Sequence, residues 1–393
     1  MKRRLGAPSP VALFALSAVF IMIAAFLAFV VPARNRGVPA RSAGESSEEY
    51  RKFSSDSFDS FDTLVTFTAF ARDEAEFERY SKIVHDEMNR LHKLFDIYGD
   101  YEGIPNMKTI NDMAGLAPVE IDQSVIEFLG LAIDAYDFTD GAVNVALGPV
   151  LSIWHDCREK ALAEGNDVVA LPSVGELRAA AVHISPEDIS IDRGRSSVFL
   201  PYGDMSLDVG AMAKGYASQR AAELAMESGL RSGIINAGGN VVVIGRPLDG
   251  RNAWNIGVHS PSEEGDLSKF IDVLSLDGGA AVTSGSDQRY FTADGRRYHH
   301  IINPATLFPA EGVKSVTVLH IDSTTADILS TAAFILPIHK AHELIARHGA
   351  EAMWVTESGR TLATKGYLSL SKTGAGEMVA NSSDEPDKEY VVQ

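Results

Sequence analysis

The stretch SLDVGAMAKGY, residues 206–216, combines an acid, several small residues and a lysine at a change of hydrophobic periodicity. Alternation of apolar and polar residues before Asp208 predicts a strand end, and helical spacing runs from Ala213 until Gly229. Small residues let a ligand approach the backbone, and Lys214 adds positive charge near a helix N-terminus. The stretch therefore predicts a junction that can hold a phosphate and a metal, although a packed turn with Lys214 in solvent would show the same pattern.

A second polar group lies in ADILST, residues 326–331, within a predicted helix capped by Thr324. Asp327 and Thr331 stand four apart, so both project from one helix face, with Ser330 beside them. Oxygen ligands favour Mg²⁺, or Mn²⁺ or Ca²⁺, over Zn²⁺. The alternative is that these residues only cap the helix or face water.

Adjacent histidines occur in YHHIINP, residues 298–304. A strand here would place His299 and His300 on opposite faces. An imidazole can accept a hydroxyl proton near neutral pH, although either histidine could equally be a satisfied polar side chain. Asp287 is a competing base, and its alternative role is a structural ion pair with nearby Arg289.

The stretch at 206–216 resembles the D-x-G-x-x-A-K-G-Y segment of the ApbE-type FAD:protein FMN transferases. Further segments match that family in its order: TDGA at 139–142 leading to GPV at 148–150 and Trp154, NAGGN at 236–240, TSG at 283–285, HIINP at 300–304 and ADILST at 326–331. One short motif is weak evidence, but this ordered series supports a resemblance from about Phe61 to about Gly366.

The resemblance implies a Mg²⁺ site and a site for FAD as substrate. Relatives bind metal through residues matching Asp327 and Thr331 and through a carbonyl matching Ala211, and we include neighbouring Ser330 in this set. His300 matches the histidine of the family's H-I-I-D-P segment, which makes it the expected general base. The expected FAD contacts are Phe61, Tyr98, Asn106, Ala142, Val143, Asn144, Asp208, Lys214, His300 and Ile301.

Three positions depart from the family pattern. Asn144 and Asn303 stand where relatives commonly have aspartate, so each keeps its hydrogen bonding but loses a negative charge. Leu307 replaces a frequent glycine in the turn before Pro309. We expect the two asparagines to alter FAD affinity or rate.

Clustered strand patterns with helices beside them predict an α+β fold with a largely antiparallel sheet. The resemblance implies one compact flavin-transferase domain, related to the T-fold, at residues 58–375. The glycine-rich turn at 237–240 lacks the G-x-G-x-x-G spacing and the following helix of a dinucleotide-binding fold. We therefore reject a Rossmann fold.

Both ends differ from this domain. Basic residues precede an apolar run from about Val11 to Val31, which predicts a membrane anchor within residues 1–36, because a helix of about 20 residues spans a bilayer. A cleaved signal peptide is the alternative. Residues 37–57 read as a linker and 376–393 as an acidic disordered tail. We expect the domain outside the cytoplasmic membrane.

The composition of the chain limits the classes of partner that it can bind. The chain has 393 residues and a formal net charge of -18, which argues against a nucleic-acid partner. The resemblance implies Mg²⁺-dependent transfer of FMN from FAD to a Thr or Ser hydroxyl of an acceptor, with release of AMP. The implied acceptors are flavoprotein subunits of membrane redox complexes. The rival functions are a metal-dependent FAD pyrophosphatase and a non-catalytic flavin-binding protein.

Overall fold

The computed structural model describes residues 50–164, 169–261 and 269–379. In this part of the chain the strands are, in order, β1 Arg51–Ser60, β2 Thr63–Ala71, β3 Val119–Glu120, β4 Ser190–Asp192, β5 Ser197–Phe199, β6 Gly233–Ala237, β7 Asn240–Ile244, β8 Trp254–His259, β9 Phe270–Leu276, β10 Gly279–Gly285, β11 Tyr290–Ala293, β12 Arg296–His299, β13 Val313–His320, β14 Glu351–Thr356, β15 Thr361–Ala363 and β16 Glu377–Met378. The helices are α1 Glu74–Phe95, α2 Met107–Asp112, α3 Gln123–Phe138, α4 Gly148–Glu164, α5 Val174–Ala180, α6 Ala213–Glu227, α7 Ser323–Ile335, α8 Ile338–Arg347 and α9 Lys365–Leu370.

A nine-stranded sheet in the order β1-β2-β6-β7-β10-β13-β14-β15-β16 forms the centre of the described structure. Every pairing in it is antiparallel except β15 with β16. Helices α1, α6 and α7 pack on one face of the sheet, and the β8–β9 hairpin and α9 cover the other. The predicted α+β fold with a largely antiparallel sheet is confirmed.

The helix α1 shows how the sequence produces this packing. The Asp73 side chain caps its first turn by accepting a hydrogen bond from the backbone N–H of Glu76 at 2.8 Å. Phe77, Tyr80 and Val84 recur at helical spacing and are buried against the core. The helix therefore presents one apolar stripe to the sheet.

The predicted cap of α7 was wrong by two residues. The side chain of Asp322, not Thr324, caps this helix by accepting from the N–H of Thr325. A carboxylate placed before the first turn accepts from the free N–H groups and also favours the positive end of the helix dipole.

Two predicted strands also differ from the structure. Residues 205–209 form no strand, although Met205, Leu207 and Val209 are buried in alternation. The side-chain amide of Asn111 takes the place of a strand partner, since it donates to the Leu207 carbonyl at 3.0 Å and accepts from its N–H at 2.7 Å. The strand predicted over 298–302 ends at His299.

The domain boundaries shift slightly. Residues 51–57, assigned to the linker, belong to β1, which pairs with β2, and Glu377–Met378, assigned to the tail, forms β16. The predicted anchor at 1–36 and most of the predicted tail lie outside the described residues. Within the described ranges, no helix combines the length and apolar character needed to cross a bilayer.

Candidate functional site

The first turn of α6 and the middle of α7 meet at one backbone hydrogen bond. The N–H of Gly215 donates to Oδ2 of Asp327 at 2.7 Å. A Cβ at position 215 would lie 2.5 Å from the Asp327 Cβ and 2.6 Å from the Ser323 carbonyl oxygen. Glycine is therefore required for the two helices to approach closely enough for this contact.

Oxygen atoms from three chain segments converge beside this contact. The Thr331 hydroxyl lies 3.4 Å from the Ala211 carbonyl oxygen and 3.5 Å from the Ser284 hydroxyl. Asp327 lies one helical turn before Thr331, on the same face of α7. A carboxylate, hydroxyls and a carbonyl are the hard oxygen ligands that Mg²⁺ prefers, so these residues fit such a cation.

Ser330 does not share this arrangement. Its hydroxyl is fully buried, donates to the Asp327 carbonyl oxygen at 2.9 Å and lies 2.8 Å from the Ser284 hydroxyl. Because the Ser330 proton is used within the helix, Ser284 donates to Ser330. The structure thus gives Ser330 a supporting role and places Ser284, absent from the predicted ligands, next to Thr331.

A buried asparagine lies close to Asp327. The Asn240 side chain is 1% exposed, and its Oδ1 accepts from the Ser323 hydroxyl at 2.8 Å. The side chain of Asn240 is near enough to Asp327 to lower its pKa, although Nδ2 of Asn240 meets full hydrogen-bond geometry with no acceptor among the described residues. Burial raises the pKa of Asp327 to about 6, against the opposing effects of Lys214, Gly215 and Asn240.

Several charged groups surround the junction. Lys214 is half-buried, and loss of solvation lowers its pKa, while the charge of Asp327 acts in the opposite direction. Burial raises the pKa of Asp208, while Arg289 opposes that shift. Asp208 also accepts from the N–H of Gly210 at 2.9 Å. Lys214 is therefore not a simple solvated side chain at a packed turn.

The two neighbouring histidines have different environments. His299 is buried, and its Nε2 lies 2.8 Å from the Ala310 carbonyl oxygen. His300 is exposed, and its Nδ1 lies 3.3 Å from the Arg289 carbonyl oxygen. A proton on Nδ1 satisfies that contact and leaves Nε2 as the basic nitrogen. Loss of solvation by the imidazole, together with the positive charges of Arg289 and Lys214, lowers the pKa of His300. Its ring is therefore neutral near pH 7.

The three residues predicted to contact FAD near the start of the domain lie in different surroundings. Phe61 occupies the two-residue turn between β1 and β2 with φ 56°, a strained conformation for a bulky residue, and packs edge-on against His92. Tyr98 is 62% exposed and stacks on His155 at 5.3 Å. Asn106 is buried, caps α2 and donates to the Gly99 carbonyl at 2.9 Å, so its side chain supports the loop that carries Tyr98.

The segment 142–144 lies beside Asp208 but directs its side chains inward. Ala142 and Val143 are buried in the core, and the N–H of Val143 donates to the Thr139 hydroxyl at 3.1 Å. Asn144 donates to the Ile184 carbonyl at 2.9 Å and accepts from the N–H of Ala146 at 2.8 Å. Asn144 thus supports its own turn.

The 300–309 segment contains Asn303 and Leu307, the other two residues that depart from the family pattern. Ile301 is buried, and its carbonyl accepts from the N–H of Ala310 at 2.9 Å. Asn303 accepts from the N–H of Ala305 at 2.9 Å. Leu307 adopts φ 65°, which explains why glycine is frequent here, and its carbonyl accepts from the indole N–H of Trp154 at 2.9 Å. Leu307 is therefore a strained replacement.

The structure places oxygen ligands next to Lys214 on an α+β scaffold, and a cation held there would stabilise the negative charge of a phosphate group. Residues 61–354 match the sequence model described as the ApbE family. The chain belongs to the ApbE family, and it is an enzyme of the transferase class.

Relatives and solved structures agree with this assignment. An FAD:protein FMN transferase of Klebsiella pneumoniae is 32% identical over 282 residues, 70% of this chain and 84% of that protein. One from Treponema pallidum is 33% identical over 276 residues, 67% of this chain and 74% of that protein. The ApbE protein of Thermotoga maritima has a similar fold, with a TM-score of 0.71 and 29% identity over 82% of this chain and 99% of that chain.

Proposed function

We propose that this protein transfers FMN from FAD to a Thr or Ser hydroxyl of an acceptor flavoprotein and releases AMP. The observation that carries the proposal is the convergence of Asp327, Thr331 and the Ala211 carbonyl beside Lys214. Membership in the ApbE family and the names of the relatives support FAD as the substrate. Asp208, Tyr98 and the 142–144 segment are the proposed surroundings of the flavin nucleotide.

Asp327, Thr331 and the Ala211 carbonyl would hold Mg²⁺, which would neutralise charge on the pyrophosphate when bound. The Gly215 N–H donates to Oδ2 of Asp327 and fixes the carboxylate one helical turn before Thr331 in α7. Lys214 adds a cationic group near the N-terminus of α6, where backbone N–H groups also favour an anion. These groups act by positioning and electrostatics, which dominate catalysis of phosphoryl transfer.

His300 is the proposed general base. The acceptor oxygen forms a bond to the FMN-side phosphorus while the bond from that phosphorus to the bridging oxygen breaks, and AMP departs with that oxygen. The hydroxyl proton passes to Nε2 of His300, which is free when Nδ1 donates to the Arg289 carbonyl. Asp287, in the loop between β10 and β11 that also carries Arg289, is the competing base.

The test is to incubate the purified protein with FAD, Mg²⁺ and an unflavinylated acceptor subunit, and to weigh the acceptor by mass spectrometry. A mass increase of one FMN moiety, with AMP in equal amount, supports the transferase. FMN and AMP without an adduct indicates a pyrophosphatase, in which water takes the place of the hydroxyl. Bound FAD without turnover indicates a flavin-binding protein.

We further propose that residues 1–36 anchor the protein in the cytoplasmic membrane, with its domain on the outer side. The basic start and the apolar run at 11–31 support this topology. The expected acceptors are then flavoprotein subunits of membrane redox complexes. Protease added to intact spheroplasts should degrade the domain, and protection until lysis would contradict the topology.

A further inference from the structure

A wide groove lies next to the candidate site. It has a volume of about 1600 Å³ and is bordered by the β11–β12 hairpin, the 303–314 segment, the start of α8 and the turn between β14 and β15. Small-molecule sites usually enclose about 300 to 1,000 Å³. The groove is therefore larger than one substrate molecule requires.

Three chain segments carry both a residue of the site and a residue of the groove. Ser284 lies beside Thr331, and two residues further along the chain Ser286 lines the groove. His299 lines the groove, and its neighbour His300 is the proposed base. In α7, Ile335 lines the groove one turn after Thr331, about 6 Å along the axis. Asp287, the competing base, itself lines the groove, so the groove adjoins the site at that residue.

The groove offers an apolar floor with a polar rim. Half-buried apolar side chains contribute to its lining: Phe308, Pro309, Ile335, Leu336 and Ile338. Its charged lining residues are of both signs: the basic Arg296, Arg297, Lys314 and Arg360, and the acidic Asp287, Glu311 and Glu357. This near balance of charge contrasts with the net charge of -18 of the whole chain. The combination of an apolar core and a polar rim is typical of protein-binding surfaces.

We propose that this groove receives an extended segment of the acceptor flavoprotein, with its modified Thr or Ser next to Asp287 and its apolar side chains against the apolar lining residues. The inference rests on the proposed function. A protein substrate must place one hydroxyl at the phosphorus while the rest of its chain leaves the site. The groove supplies such a path, because it is lined both by Asp287 and by the turn between β14 and β15.

The test blocks the groove at the turn between β14 and β15. Ser358 is exposed there, and its hydroxyl contacts only the neighbouring Thr356 hydroxyl, at 2.9 Å, among the hydrogen bonds of the described residues. Ser358→Trp should raise the KM for an unflavinylated acceptor subunit at least about tenfold while the KM for FAD is unchanged. Ser369→Trp is the matched control, since Ser369 is an exposed serine on α9 outside the groove lining.

The outcomes separate the two proposals. Unchanged KM values in Ser358→Trp, with wild-type transfer intact, overturn the groove inference alone. A raised KM for FAD instead shows that the groove holds the nucleotide, which also overturns it. Absence of transfer by the wild-type protein overturns the proposed function and this inference together. If Ser358→Trp does not fold, as judged by circular dichroism, Glu357→Trp replaces it, because Glu357 is also exposed on the groove rim.

Discussion

Oδ2 of Asp327 accepts a hydrogen bond of 2.7 Å from the N–H of Gly215, which joins two helices that are 112 residues apart in sequence. The bond satisfies one free N–H in the first turn of α6 and fixes the orientation of the carboxylate. One contact therefore couples helix packing to the geometry of the candidate cation site.

The first prediction concerns pH and stability without metal. Burial raises the pKa of Asp327 to about 6, so the folded protein holds this proton more tightly than the unfolded chain, whose aspartate pKa is about 3.9. The protonated Asp327 carboxyl therefore contributes its whole share of the free energy of unfolding below pH about 4, and this contribution is lost as pH rises through about 6. Relative to Asp327→Asn, the wild-type free energy of unfolding should fall by on the order of 2 to 3 kcal/mol across that range. Urea denaturation in EDTA measures this, and a constant difference would contradict it.

The second prediction concerns helix packing. Gly215→Ala should destabilise the protein by about 1 to 3 kcal/mol, because the new methyl group would overlap the Asp327 Cβ and the Ser323 carbonyl. Turnover should also fall, since the carboxylate must move. Gly175→Ala is the control, because its new Cβ would have only the Ser173 hydroxyl near it, at 3.9 Å. Equal thermal stability of the two variants would show that the helices separate freely.

The third prediction distinguishes the two hydroxyls of α7. Thr331→Val should raise the Mg²⁺ concentration for half-maximal transfer about 10- to 100-fold, as expected for the loss of one bond to a charged group. Ser330→Ala should leave that concentration nearly unchanged, because the Ser330 hydroxyl bonds within the protein. Ser330→Ala should lower the free energy of unfolding by about 1 kcal/mol. Titration of activity with Mg²⁺ tests both, and a larger effect of Ser330→Ala would reverse the assignment.

The fourth prediction concerns the base. His300→Ala should lower transfer about 10²- to 10⁴-fold while FAD still binds. The lowered pKa keeps His300 unprotonated at neutral pH, so the wild-type rate should show no loss through an ordinary histidine pKa near 6.5. His299→Ala should mainly reduce stability, because that ring is buried against Ala310. Single-turnover transfer rates measured across pH distinguish the two candidate bases. A near-normal rate in His300→Ala together with an inactive Asp287→Ala would identify Asp287 as the base.

Local patterns were sufficient to predict most of the fold. The helical spacing after Ala213, the stop at Gly229 and the hairpin around the glycine-rich turn at 237–240 all appear in the structure. These features depend on neighbours within a few residues, which the sequence displays directly. The order of the family segments also indicated which residues to examine.

Tertiary structure decided what those residues do. The Asn111 side chain bonds to the backbone of Leu207, just before Asp208, where the sequence predicts a strand end, and it lies 96 residues from Leu207 in the chain. Likewise Ser330 and Thr331 are adjacent in sequence, yet one hydroxyl bonds inside the protein and the other faces the Ala211 carbonyl. The sequence by itself determined the elements and the candidate residue types, because both follow from local spacing. Only the packing of α6 against α7 decided which oxygens converge, because that depends on contacts between distant segments.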